Sequence, residues 1–183
     1  SNANLSGIDL SDHDLTGTIL VKSTLSNANL SGVDLSGRDL TGAIFHKTNL
    51  SGTDLSNTNL SWSNFSQQRN TSETKAEFLN NNGNKILKNV ILKNVDLRHA
   101  NLGGQDLTDM DLSTAKLAYT DLSSSDLSNT NLSNVDLSHA NLWHATLDGA
   151  NLDNANLFAV RTFSTSFNNA LLTCSGNVVC ELP

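Results

Sequence analysis

"DLSNTNLSWSNF", residues 54–65, places Leu55, Leu60 and Phe65 five residues apart. The same step extends outward without a miss. Thirteen centres run from Leu5 to Phe65, with Phe45 the only other non-leucine, and fourteen more run from Leu92 to Leu157. Thr162 interrupts the series before Phe167 and Leu172 rejoin it. A helix repeats its apolar face about every 3.6 residues, and a step of five would spiral the leucines around it. A half-buried strand has a period of two, and an odd step would send successive leucines to opposite sides. The chain must therefore turn a corner within every five residues.

The neighbours of each centre agree. Two positions before it the residue is often small: Ala28, Val33, Ala43, Thr48, Thr53 and Thr58, then Val95, Ala100, Ala115, Thr120, Thr130, Val135, Ala140, Ala145, Ala150 and Ala155. Residues two apart on an extended piece share a face, so the small residue and the leucine both point inward. The Asp or Asn between them points outward. The Ser, Asn and Gly that follow are turn formers. One such unit cannot bury its apolar face alone, but stacked units can.

The units "ANLSG", "TDLSN", "TNLSN", "ANLWH" and "ANLDN" resemble the A(D/N)Lxx repeat of the pentapeptide-repeat family, over residues 3–65 and 88–172. That resemblance implies an all-β fold, a right-handed quadrilateral β-helix in which four sides close a coil of about twenty residues, with about eight coils in all. The expected organisation is a tag remnant at residues 1–3 ("SNA"), a β-helix at 4–173 interrupted by an irregular coil at 66–91, and a capping tail at 174–183. The family is mostly of unknown function, so the resemblance specifies fold far better than activity.

Composition narrows the classes. Lys plus Arg total 11 against 18 Asp plus Glu, a net charge of -7, which disfavours direct nucleic-acid or anionic-membrane binding. Aromatics are only 5%, and Pro183 is the one proline. No apolar run has the length of a membrane span. Cys174 and Cys180 in "CSGNVVC" fit a small disulfide loop in an oxidising compartment, such as a bacterial periplasm, a secreted setting or a thylakoid lumen. They fit equally two free thiols in the cytoplasm. Two thiols without imidazoles nearby in sequence make a poor zinc site.

The stretch 66–91, "SQQRNTSETKAEFLNNNGNKILKNVI", breaks the period. It reads as a widened coil carrying a surface loop near 66–84, with Ile86 or Leu87 sealing the next side. Arg69, Lys75, Lys85 and Lys88 oppose Glu73 and Glu77, giving a basic loop on an acidic rod and a candidate partner-binding element. Phe158, Phe163 and Phe167 with the folded-back tail are expected to cover the C-terminal coil. The N-terminal end shows no comparable cap, so end-to-end or C-terminal self-association is open.

Candidate chemistry is sparse. His13, His46, His99, His139 and His144 match no metal-ligand spacing. Stacked in a coil of about twenty residues, His99, Tyr119 and His139 share one column near a corner, with Trp143 and His144 one side further on. They read either as an exposed aromatic patch or as isolated surface residues. His13 occupies an inward small-residue position and reads as a strained core residue. Asp14, Asp34 and Asp54 form a column whose like charges would raise each other's pKa unless a cation or water lies nearby. The column Asp96, Lys116, Asp136, Asn156 is mixed in charge. A filled rod offers no pocket for catalysis, and no nucleophile, metal or phosphate-loop motif is present. No cofactor is expected, and the chain does not read as an enzyme.

Two functions remain. The first is a non-catalytic scaffold that binds another protein, with Arg69, Lys75, Lys85, His99, Tyr119, His139 and Trp143 as candidate contacts. The second follows from the resemblance, because some pentapeptide-repeat proteins imitate DNA and protect DNA gyrase. Those tend to carry Cys and Phe in their repeats and an apolar dimerising tail, whereas here the centres are almost all Leu, the inward small positions lack Cys, and no dimerising tail is recognisable.

Overall fold

The computed structural model describes residues 1–65, 87 and 90–173. Within them the chain is a β-helical solenoid whose coils pair through single-residue parallel β-bridges. The outward Asp or Asn of each unit is the bridging residue: Asn4 pairs with Thr24, Asp9 with Asn29, Asp34 with Asp54 and Asp39 with Asn59, each twenty residues on. Four such columns make up one turn of the coil. Each centre donates its N–H forward, as Leu30 does to the Asn49 carbonyl at 2.8 Å, and the bridging residue donates back, as Asn49 does to Ala28 at 2.9 Å. Runs of paired residues do not form, because the chain turns again after one bridge.

The corners explain the rest of the repeat. The N–H of each inward small residue returns to the carbonyl of the preceding centre, as from Ala28 to Leu25 at 3.0 Å. The residue just before the small one takes a left-handed conformation, with φ of 58° at Asn27 and Asn57 and 61° at Asn134. Asn accepts that region more readily than most residues. The outward carboxylate or amide then fixes the corner from outside. Asp9 accepts from both the N–H (3.1 Å) and the hydroxyl (2.7 Å) of Ser11, and Asp111 does the same with Ser113. The D/N-L-S order of the sequence is thus one hydrogen-bonded unit.

The interior is a stack of leucines with Leu25, Leu55, Leu97 and Leu127 fully buried, and the rings of Phe45 and Phe65 lie parallel at 4.6 Å. Burial of each such side chain contributes about 2 kcal/mol before conformational entropy is subtracted. The threonines at the small position do more than fill space. The hydroxyls of Thr48, Thr53, Thr58, Thr120 and Thr130 donate to the carbonyls of Leu25, Leu30, Leu35, Leu97 and Leu107 in the preceding coil, at 2.8–3.0 Å. These five hydroxyls are therefore satisfied in a dry interior, where leaving them unpaired would be costly, whereas the buried Ser23 and Ser63 hydroxyls and the Gln105 Oε1 find no partner among the described residues.

The break changes the register in one step. Asp54 pairs with Ile91, Asn59 with Asp96 and Asn64 with Asn101, each thirty-seven residues on instead of twenty, so seventeen residues are added within this coil. The addition falls between Phe65 and Leu87, whose fully buried side chain closes the next side as expected. Fully buried Gln105 marks the seam. Its amide donates to the Phe65 carbonyl at 3.1 Å, in the slot that a threonine hydroxyl fills in regular coils.

Two expectations are corrected. His13 is exposed, although its column partners Val33 and Thr53 are buried. An imidazole is too large for the slot that Val33 and Thr53 fill, and it turns to solvent. Phe158 and Phe163 do not cover the end of the rod. Each follows its centre by one residue, which is a corner position, and both are largely exposed; only Phe167 packs partly against the core. Arg69, Lys75, Lys85, the 66–84 loop, Cys174, Cys180 and the tail at 174–183 lie outside the described residues.

Candidate functional site: an aromatic corner

On one corner of the rod, aromatic rings stack coil upon coil. Trp62 lies parallel to His99 with centroids 4.1 Å apart, His99 to Tyr119 at 4.9 Å, and Tyr119 to His139 at 4.7 Å, all within 16° of parallel. Phe158 closes the far end edge-on to His139 at 5.5 Å. The first four residues occupy the left-handed corner position, with φ between 60° and 63°. Bulky side chains rarely adopt that conformation, which costs about 1–2 kcal/mol per residue relative to the right-handed region. Stacking at about 0.5–1.5 kcal/mol per contact offsets it. The stack is nevertheless open to solvent, with Trp62 63% and Tyr119 51% exposed.

His99, Tyr119 and His139 thus come together as their column predicts. Trp62 joins them only because the seventeen added residues shift its coil into register. A fixed step of twenty back from His99 reaches Leu79 instead, which is why sequence reasoning missed it. Trp143 sits apart, on the corner that follows. There the Arg161 guanidinium lies 5.0 Å from its ring centroid, and Phe163 packs against both Trp143 and His144 at 6.0 and 5.8 Å. Between these two corners runs a flat side whose outward column is Asn101, Asp121, Asn141 and Arg161. Its amides and carboxylates form a ladder, with Asn141 donating to Asp121 at 3.0 Å.

The acidic columns are internally compensated. In Asp14 and Asp34, hydrogen bonds from the hydroxyl and N–H of Thr16 and Ser36 hold the carboxyls below their ordinary value of 3.8, with Arg38 adding attraction. Mutual repulsion does not raise them, contrary to the expectation from stacking alone. Asp96 is also held low, first by its hydrogen bonds from Arg98, whose Nη2 is 2.7 Å away, and more weakly by Lys116 at 3.6 Å. The mixed column is therefore a set of ion pairs and side-chain hydrogen bonds, including that from the Asn156 amide to the Asp136 carboxylate at 2.9 Å.

A rod without any pocket was expected, but a surface recess of about 620 Å³ lies beside the seam, lined by Val90, Ile91, Lys93, Asp109, Met110 and Thr114 among others. Among the described residues that line it there is neither histidine nor cysteine. Among the described residues no group of three or more His, Cys, Asp or Glu could hold a metal ion, and no helix is long and apolar enough to cross a membrane.

The chain is similar to several solved structures. HetL, a pentapeptide repeat protein involved in heterocyst differentiation regulation in the cyanobacterium Nostoc sp. strain PCC 7120, is 23% identical, with 93% of this chain and 83% of that one covered and a TM-score of 0.50. A structure of QnrB1, a plasmid-mediated fluoroquinolone resistance protein, is 17% identical over 91% and 90%, with a TM-score of 0.43. A pentapeptide repeat protein of the Arabidopsis thaliana thylakoid lumen is 20% identical over 75% and 67%, at 0.25. No curated protein matches the sequence. The family model for pentapeptide repeats matches in eight copies over residues 1–37, 39–67, 96–134 and 125–159, and the chain belongs to the pentapeptide-repeat family.

Proposed function

We propose that the chain is a non-catalytic scaffold, a right-handed quadrilateral β-helix of about eight coils, that binds another protein through its aromatic corner. The observation that carries this reading is the stack from Trp62 to Phe158. Large rings are held in an unfavourable backbone conformation and left exposed, where glycine or asparagine would form the same corner without strain. Exposed aromatic anchors beside a flat polar side are the composition of a protein interface core with its rim. Trp143 and Phe163 border that side on its other edge.

The test compares the wild-type chain with a variant carrying His99→Gly, Tyr119→Gly and His139→Gly, which keeps the corner geometry and removes the rings. Cross-linking and mass spectrometry on extracts of the source cell should identify a partner held by the wild type and lost by the variant. A control change on the opposite corner, Asn129→Gly, should retain it. Partners unaffected by the triple variant would sink the reading.

The alternative, imitation of DNA, makes a different prediction. A mimic would inhibit gyrase supercoiling and lose potency as salt rises. The paired column Asp96–Lys116–Asp136–Asn156 and the Arg38 charge beside Asp14 and Asp34 break a continuous negative stripe. No inhibition is expected at micromolar protein. Salt-sensitive inhibition would replace the scaffold reading and make Asp14, Asp34 and Asp54 the residues to neutralise.

A further inference from the structure

The aromatic stack has one rung missing. Its column continues from Trp62 to Gly42 and then Lys22, traced by N–H donation from Lys22 to Thr41 at 2.8 Å, Gly42 to Ser61 at 2.9 Å and Trp62 to Arg98 at 3.1 Å. His99 covers one face of the Trp62 indole, with the rings within 5° of parallel. The other face therefore looks along the column to the coil of Gly42, where there is no side chain. A Cβ placed on Gly42 would meet only the Lys22 Cγ, at 3.2 Å, and nothing of Trp62 within 4 Å. We propose that this gap is a binding notch for a planar aromatic anion, whose ring stacks on the open face of Trp62 while its charged group pairs with Lys22.

The dimensions agree. Two coil steps separate Lys22 from Trp62, about 10 Å at strand spacing. A ring in contact on both faces needs about 7–8 Å. The Lys22 stem leans over Gly42 and is flexible enough to move aside, leaving its ammonium at the far edge of the notch. Ile44, on the adjoining side of the same coil, is 38% exposed and adds an apolar wall. The Asp39 carboxylate, on the side leading into this corner, accepts from the N–H and hydroxyl of Thr41 and keeps its negative charge, so the cation this column offers an incoming anion is Lys22. Stacking on an open indole is sequence-tolerant and suits nucleobases and aromatic carboxylates alike. This site shares Trp62 with the proposed protein-binding corner, but its test does not depend on that reading.

Trp62 is its own reporter. The chain has two tryptophans, and Trp143→Phe leaves Trp62 as the only one. In that background, adenosine 5′-monophosphate and nicotinate are titrated against indole emission, with adenosine as the uncharged control. Saturable quenching by both anions supports the class, and saturation by the nucleotide alone narrows it to nucleotides. Gly42→His should complete the stack, since His99 and His139 already adopt this conformation in the same column, and should weaken binding by about tenfold or more. Lys22→Ala should bring the anions to the level of adenosine, a loss of about fivefold. Circular dichroism confirms that each variant folds, and Gly42→Asn is a smaller filler if the histidine variant does not. Quenching that rises linearly with every ligand, or is unchanged in both fillers, overturns the notch. Adenosine binding as well as its monophosphate overturns the role of Lys22.

Discussion

The coils before the insertion and those after it have the same interior and different corners. Leu35 and Leu127 are equally buried, and the Thr hydroxyl ladder runs through both parts. At the left-handed corner position, however, glycine occurs six times before Phe65 and twice after Leu92. The later coils more often place His, Tyr, Asn and Ser there instead. Glycine takes that conformation freely, whereas a side chain must be compensated by what it touches. The first part is thus the barer rod, and the second spends conformational energy to display side chains. A corner position that tolerates almost any residue is where this fold can acquire function without disturbing its core.

The comparison is broken most severely at the core. Leu35→Asp and Leu127→Asp each bury an unpaired carboxylate and should cost more than about 4 kcal/mol. If the two parts fold as one array, either substitution should abolish the cooperative melt followed by circular dichroism. If they are independent, hydrogen exchange should show protection surviving in the part left intact. Next come the stacked phenylalanines. Phe45→Ala and Phe65→Ala should each lose about 3–5 kcal/mol in denaturant unfolding. Both rings are fully buried, so the two losses should be similar.

Gln105→Leu tests the seam itself. It fills the space but leaves the Phe65 carbonyl without its 3.1 Å partner, and should cost about 1–3 kcal/mol. A neutral result would mean that the coil rejoins without this bond. Tyr119→Gly should alter stability by about 1 kcal/mol or less, because relief of backbone strain offsets the two lost stacking contacts. The reverse change in the barer part, Gly32→Tyr, has no neighbouring ring to stack on and should destabilise by about 1–2 kcal/mol. Equal effects of the two would remove the proposed contrast between the corners.

The smallest effect is that of acid. Asp9, Asp14 and Asp34 before the insertion, and Asp96, Asp111 and Asp148 after it, all have carboxyls held below the ordinary value of 3.8, in each case mainly by hydrogen bonds from side chains at their own corner or the next coil. A carboxyl depressed on folding stabilises the fold above its unfolded pKa and loses that contribution as pH falls through the folded one. The melting midpoint should stay level from neutral pH to near 3.8 and decline gently below it. Both parts should respond alike, and a midpoint that rises on acidification would contradict the hydrogen-bonded corners.

The sequence alone determined the unit and its orientation. A step of five with a small residue two places earlier admits no regular helix or strand, so which residues face inward could be read directly, as Leu127 and Ala140 show. It also indicated that Ile86 or Leu87 could seal the broken coil, and Leu87 is fully buried. It failed where distance along the chain stopped predicting distance in space. Trp62 stacks on His99 across thirty-seven residues, Gln105 reaches Phe65 across forty, and Arg38 attracts the Asp14 carboxylate from the next coil. Only the tertiary structure decided these contacts, because the insertion resets the register by an amount that no local pattern encodes. It also decided that threonine is chosen for its hydroxyl as well as its size, and that His13, too large for its slot, faces water. Periodicity fixes what repeats; stacking fixes which residues meet.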